Sequence, residues 1–90
     1  MTFTWDQRKD ALNRRKHRVG FREAASVLQD PLSTTFPDPD HSRGEQRYVT
    51  IGRSSLGKTL VVAHAERGDM IRIISARPAT RRERRFYEET

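Results

Sequence analysis

The sequence predicts an α+β fold, in which helices pack on one antiparallel sheet in the order β-α-α-β-β-β-α. Three strand-like segments follow one another in the second half of the chain, separated by short turns that contain glycine. An amphipathic helix precedes them, and an arginine-rich helix follows a proline after the last one. A length of 90 residues predicts a single domain, residues 1–90, and the absence of cysteine excludes disulfides and thiolate metal sites.

The N-terminal segment predicts a short strand followed by a helix. Residues 2–5 (TFTW) have strand character, and Asp6 is a suitable N-cap for a helix that ends near His17. This helix has few apolar residues, and its basic residues cover most of its circumference. We therefore expect it to pack through a narrow stripe and to leave a basic face in solvent.

A second helix follows the break at Gly20. Four apolar residues recur at the helical interval, namely Phe21, Ala24, Ala25 and Leu28. Asp30-Pro31 ends this helix, because proline cannot continue it. Residues 30–44 (DPLSTTFPDPDHSRG) then predict an acidic, proline-rich loop.

The second half of the chain predicts an antiparallel meander and a final helix. Short turns at 54–57 and 67–69 separate the strands, and Pro78 precedes a helix over about residues 79–89. The predicted strands cover residues 46–53 (QRYVTIGR), 58–66 (KTLVVAHAE) and 70–77 (MIRIISAR).

The charge balance points to an anionic partner. Basic residues outnumber acidic ones by 18 to 12, and arginine outnumbers lysine by 15 to 3. Arginine forms bidentate pairs with phosphate and stacks on bases, which favours nucleic acid or an acidic protein, although GC-rich codon usage also enriches arginine. No apolar run reaches the roughly 20 residues that span a bilayer, and no signal peptide is recognisable, so we expect a cytoplasmic protein that does not bind membranes.

Most catalytic signatures are absent from the sequence. It contains no glycine-rich phosphate loop, no His-Glu-x-x-His zinc motif and no serine elbow, so we expect no metal and no cofactor. RNA cleavage remains possible, because RNA supplies its own nucleophile, the 2′-hydroxyl. An enzyme then needs only a base, an acid and cations that stabilise the charged phosphorane.

Six residues are candidates for this chemistry, and three of them have a structural alternative. His17 could transfer a proton or simply stabilise the C-terminus of its helix. Glu45 and Arg47 lie at the start of a strand, where they could form a catalytic rim or a structural ion pair. The complete candidate catalytic set is Lys16, His17, Glu45, Arg47, Arg67 and Arg77.

A second group of residues is predicted to bind RNA without taking part in the chemistry. Strand alternation predicts that Arg72 and Arg77 point to opposite faces of the sheet, and Arg77 carries the greater weight. Tyr87 could stack on a base, or pack the final helix. The RNA-binding candidates are Arg14, Arg15, Arg72, Arg81 and Tyr87.

Four sequence elements together resemble the BrnT toxin family, and the resemblance extends over nearly the whole chain. They are FTWD at 3–6, KH at 16–17, ExRY at 45–48 and IRIISARPATRRERRFYE at 71–88. Departures from the family pattern are Arg18, where glycine is usual, and Gly20, where a small polar cap is common. The resemblance implies a RelE-like fold and a ribonuclease toxin of a bacterial type II toxin–antitoxin system, which inhibits translation and growth.

The resemblance also implies a protein partner. This partner is a BrnA-like antitoxin with a ribbon-helix-helix fold, which would neutralise the toxin in a heterotetramer and carry the complex to operator DNA. An alternative function from a different class stays open, namely a non-catalytic basic module that grips nucleic acid or an acidic protein. The two differ in whether RNA is cleaved or only bound.

Overall fold

The computed structural model describes residues 1–42 and 44–89, which form a five-stranded sheet and three α-helices. The α+β class and the two helices before the meander are therefore confirmed. A short 3-10 turn at Pro39–His41 lies within the predicted loop. The elements are, in chain order, β1 Thr2–Thr4, α1 Gln7–His17, α2 Phe21–Val27, β2 Thr34–Pro37, β3 Gln46–Arg53, β4 Thr59–Arg67, β5 Met70–Pro78 and α3 Arg81–Glu89.

The sheet order is β1-β5-β4-β3-β2. Strands β3, β4 and β5 form the predicted antiparallel meander. The prediction of a purely antiparallel sheet is wrong, because β1 pairs in parallel with β5, with Thr2 opposite Met70. A parallel pair needs a long crossover between its strands, and the chain between β1 and β5 supplies one.

The predicted loop over residues 30–44 contains a strand that was not predicted from the sequence. Strand β2 pairs antiparallel with β3, with Thr34 opposite Ile51, and residue 43 lies outside the described residues. The local sequence Thr34-Thr35-Phe36 has high strand propensity, which the neighbouring prolines and aspartates obscured. Pro37 ends the strand at the edge of the sheet, the position at which a strand tolerates the missing N–H.

The two faces of the sheet are covered unequally. Helices α1 and α2 cover one face, where Phe21, Leu60 and Ile73 are among the fully buried side chains of the main core. Helix α3 covers one end of the opposite face, where Tyr87 packs with Ile51 and Val61 in a smaller core. The remainder of this second face is only partly covered within the described residues.

Helix α1 is attached to the sheet by polar groups rather than by an apolar stripe. Asn13 Nδ2 donates to the carbonyls of Val19 and Ala76, each at 2.8 Å, and the N–H of Ala76 donates to Asn13 Oδ1 at 3.1 Å. The N–H of Phe21 donates to Asp10 Oδ1 at 2.8 Å. These bonds explain how a helix with so few apolar residues takes a fixed position beside β5.

Replacing Asn13 with alanine is expected to lower the free energy of unfolding by about 2–4 kcal/mol, because three buried backbone groups lose their partner. The midpoint of urea unfolding measures the change. Lys9→Ala, at an exposed position of the same helix, should stay within about 0.5 kcal/mol of wild type. An Asn13→Ala midpoint equal to that of the control would show that these bonds contribute nothing to stability.

Candidate active site

A β-bulge in strand β5 places two arginines on the same face of the sheet. Ile73 lies opposite His64 and Ser75 opposite Ala63, so Ile74 has no partner in the register. The extra residue reverses the alternation, and Arg72 and Arg77 lie opposite positions 65 and 61 of β4, which share a face. The prediction that these two arginines point to opposite faces is therefore wrong.

Cross-strand pairs define the partly covered side of the sheet, which we call the open face. One row consists of Thr4, Arg72, Ala65 and Arg47. The next row consists of Ser75, Ala63 and Val49, and Arg77 lies in the third row, beside Val61. Two members of the middle row, Ser75 and Ala63, have small side chains, and charged residues lie in the rows on either side of it.

A carboxylate flanked by two arginines lies on one side of the middle row. Arg72 Nη2 donates to Glu45 Oε1, and Arg47 Nη2 lies 3.8 Å from the same oxygen. Within the described residues, the buried Arg47 Nε has no hydrogen-bond partner. Glu45 thus lies at the end of the sheet and is also ion-paired. The two alternatives for Glu45 and Arg47, a position at the rim and an ion pair, are therefore compatible.

A histidine and a third arginine lie on the other side of the middle row. His17 and Arg77 line a cavity of about 200 Å³ whose floor includes Ala63 and Ser75. His17 and Ser75 also line an adjoining groove, together with Lys16 and Arg15 from the last turn of α1. Candidates from the first helix and the last strand therefore meet at one place, although 60 residues separate them along the chain.

The guanidinium of Arg77 is held by an acidic side chain from α3. Its Nη1 and Nη2 donate to Glu83 Oε1 at 2.8 Å and Oε2 at 3.0 Å. Thr80 and Glu83 form a capping box, with the N–H of Thr80 donating to Glu83 Oε1 at 2.8 Å and the N–H of Glu83 donating to Thr80 Oγ1 at 3.2 Å. The hydrogen bonds from Arg77 are the main cause that lowers the pKa of Glu83 to about 2.

The other candidate residues lie at the margins of the open face or away from it. Arg67 is exposed at the end of β4 and lines a cavity with Glu45 and Arg72. Arg14 forms an ion pair with Asp10 at 3.4 Å, and Arg81 is exposed on the first turn of α3.

The tyrosine of α3 belongs to the smaller core. The hydroxyl of Tyr87 donates to Asp30 Oδ2 at 2.6 Å, a bond that raises the pKa of the phenol. Burial tends to raise the pKa of Asp30, but the hydrogen bonds from the Arg53 N–H and from Tyr87 lower it overall. This position agrees with the packing alternative for Tyr87.

The third histidine of the chain, His64, lies on the helix-covered face, away from the candidate groups. It is 2% exposed, and its Nε2 shares a hydrogen bond of 2.8 Å with Thr50 Oγ1. Burial lowers the pKa of His64 to about 4, which keeps the ring neutral near pH 7. His64 is therefore part of the core.

Five of the six catalytic candidates form two clusters, and the sixth lies apart from both. Arg67 lies six residues along β4 from Val61, which is the cross-strand partner of Arg77. This separation is about 20 Å, at roughly 3.3 Å per residue. One phosphate cannot contact both ends of this span. Glu45 and Arg47 form one cluster, His17, Lys16 and Arg77 form the other, and Arg67 lies beyond the first.

Four residues that are important for the site were not among the residues predicted from the sequence. Asn13 positions the helix that carries His17, Ser75 lies between the clusters, Glu83 holds Arg77 and Asp30 binds Tyr87. Only Glu83 had a local signal, the Thr-x-x-Glu pattern at residues 80–83. The other three depend on contacts between distant segments.

The described part of the chain has neither a metal-binding cluster nor a membrane-spanning helix. No group of three or more His, Asp or Glu side chains is placed to hold a metal ion there. In those same residues, no helix combines the length and apolar character needed to cross a membrane.

Comparisons with known proteins agree with this fold. The 1.1 Å crystal structure of the Brucella abortus ribonuclease toxin BrnT superposes with a TM-score of 0.70 at 24% sequence identity, covering 90% of this chain and 99% of that chain. The search of curated proteins found no match. A family model described as the ribonuclease toxin BrnT of a type II toxin–antitoxin system matches residues 5–83. The chain therefore belongs to the BrnT family of ribonuclease toxins.

Proposed function

We propose that this protein is an endoribonuclease toxin that cleaves RNA through the 2′-hydroxyl without a metal ion, and thereby inhibits translation and growth. The observation that carries the proposal is the open face itself, where the Glu45 cluster and the His17–Arg77 cluster flank a row of small side chains. A phosphate that lies over Ala63 and Ser75 would lie between the two clusters, with His17 and Arg77 on one side of it and Arg47 in the next row on the other.

The proposed reaction needs only these groups. Glu45 or His17 takes the proton of the 2′-hydroxyl, and the oxygen attacks the neighbouring phosphorus. Arg77, Arg47 and Lys16 stabilise the additional negative charge of the phosphorane. The other member of the acid–base pair protonates the departing 5′-oxygen, so the products carry a 2′,3′-cyclic phosphate and a 5′-hydroxyl.

Family membership supports the further biological context that we propose. A toxin of a type II system needs an antitoxin, for which we propose a BrnA-like ribbon-helix-helix protein in a heterotetramer. Operator DNA would then be bound only through the antitoxin, and the site of action would be RNA in the cytoplasm. A RelE-like relationship for the fold stays a prediction.

The test uses toxin purified free of its antitoxin. We expect RNA cleavage to persist in EDTA, and the fragments to end in 2′,3′-cyclic phosphates. Loss of cleavage on chelation, with recovery on adding back a divalent cation, would reject the metal-independent mechanism. Salt-dependent RNA binding without any cleavage would favour the non-catalytic basic module.

A further inference from the structure

We propose that the cavity between Arg67 and Arg72 is a nucleobase subsite that prefers guanine, which would make this toxin cut RNA beside a guanine. The inference rests on the proposed ribonuclease function and specifies its substrate. It concerns the end of the open face that lies beyond the Glu45 cluster, where strands β1, β5 and β4 are adjacent.

The cavity has a suitable size and position for one base. Its volume is about 330 Å³, near the lower limit of small-ligand sites, which run from about 300 to 1,000 Å³. Two cross-strand rows line it, because Arg67 lies opposite Met70, and Ala65 lies opposite Arg72. The complete lining is Thr4, Glu45, Ala65, Arg67, Met70 and Arg72.

The lining combines apolar surface with charged groups at the rim. Ala65 is 3% exposed and forms part of the wall, whereas Met70 is 48% exposed and offers a flexible thioether. Sulfur makes favourable contacts with aromatic rings, and an unstacked base gains from such a surface. A free phosphate would gain nothing from this apolar part, so the cavity suits a base better than an anion alone.

The charged rim favours guanine among the bases. Arg67 is exposed and presents a planar fork of N–H donors. Guanine offers two adjacent acceptors, O6 and N7, which match that fork, whereas adenine has a donor in place of O6. Arg67 would thus read the base, while Arg72, which is paired with Glu45, connects the subsite to the reacting groups.

The experiment sequences the fragment ends produced from random-sequence RNA. We expect guanine to be enriched at one fixed position beside the cut, and Arg67→Gln and Met70→Ala each to reduce this enrichment by about tenfold. Arg82→Gln, at an exposed position of α3 outside the cavity, is the matched control and should keep the wild-type preference. Cleavage without base preference, or a guanine preference unchanged in both cavity variants, would overturn the subsite.

A binding measurement separates failure of the subsite from failure of the proposed function. Titration with guanosine 3′-monophosphate should shift the NMR signal of the Met70 methyl group at lower concentration than uridine 3′-monophosphate does. This preference supports the subsite even for a protein that cleaves no RNA, in which case only the ribonuclease proposal would fail. Equal responses to the two nucleotides would overturn the subsite whatever the cleavage result.

Discussion

Replacing Glu45 with glutamine is expected to slow RNA cleavage by about 10²–10⁴-fold and, at the same time, to strengthen RNA binding. The rate falls because an amide cannot exchange the proton that the reaction moves. Binding strengthens because Arg72, which donates to Glu45, and Arg47, which lies 3.8 Å away, lose their counter-charge and become available to phosphate. Opposite changes in rate and affinity are the signature of a catalytic carboxylate inside a basic site.

Single-turnover cleavage and filter binding at several salt concentrations measure the two effects separately. Glu66→Gln is the matched control, because Glu66 lies next to this cluster on β4 but points to the opposite face, with Gln46 and Ile71 as its cross-strand neighbours. Both properties should stay near wild type in the control. A Glu45→Gln protein that cleaves at the wild-type rate would remove Glu45 from the chemistry and leave His17 as the acid–base group.

The same variant distinguishes the two classes of function. A binding module that grips RNA through arginines gains affinity when Glu45 is neutralised, and has no cleavage rate to lose. An enzyme shows both changes. Growth inhibition on induction gives the same contrast in cells, because only loss of catalysis would make a tighter RNA binder less toxic.

The sequence predicted local elements of the fold well. Apolar periodicity located α2, and strand propensity with glycine turns located the meander of β3, β4 and β5. It did not predict the partners of β1 and β2, because pairing at the two sheet edges depends on segments far away along the chain. Strand β2 at Thr34–Pro37 was predicted to be a loop, because the acidic, proline-rich composition around it favours a loop despite its strand propensity.

The sequence predicted the residue types of the candidate site better than their geometry. The bulge at Ile74 changes which arginines share a face, and no residue of that segment signals a bulge. Asn13 shows a similar limit, since its role depends on β5 having an unpaired edge beyond the three residues that β1 covers. Strict alternation therefore wrongly predicted opposite faces for Arg72 and Arg77, although Arg72 had been named as a candidate for RNA binding.

Removing Arg77 should have the second large effect on catalysis. We expect Arg77→Ala to reduce cleavage by about 10²–10³-fold, because a preorganised cation facing the phosphorane is lost. Within the described residues, Arg77 makes three hydrogen bonds, two to Glu83 and one to the carbonyl of Pro78 at 3.3 Å. Arginine has five N–H groups, so a side chain held in this way still has donors for a phosphate oxygen. Arg77→Lys keeps the charge but not the fork, and should restore only part of the rate.

Glu83→Gln separates the structural role of this ion pair from the catalytic one. The variant keeps Arg77 but loosens its position, so cleavage should fall by less than in Arg77→Ala, and α3 should lose stability. Because the folded-state pKa of Glu83 is about 2, below its ordinary 4.5, the pair stabilises the protein above pH 4.5 and loses this effect as the pH falls toward 2. The contribution is about 0.5–1 kcal/mol, since solvent screens a pair whose side chains are 43% and 26% exposed.

Urea unfolding at a series of pH values measures this contribution directly. Between pH 5 and pH 2 the free energy of unfolding should fall more steeply for wild type than for Glu83→Gln, and Arg77→Ala should resemble Glu83→Gln. If Arg77→Ala and Glu83→Gln lost the same amount of stability and the same amount of cleavage, Arg77 would act only by anchoring α3. A larger loss of cleavage in Arg77→Ala at equal stability would instead assign its guanidinium to the RNA, because both variants break the ion pair and only one removes the cation.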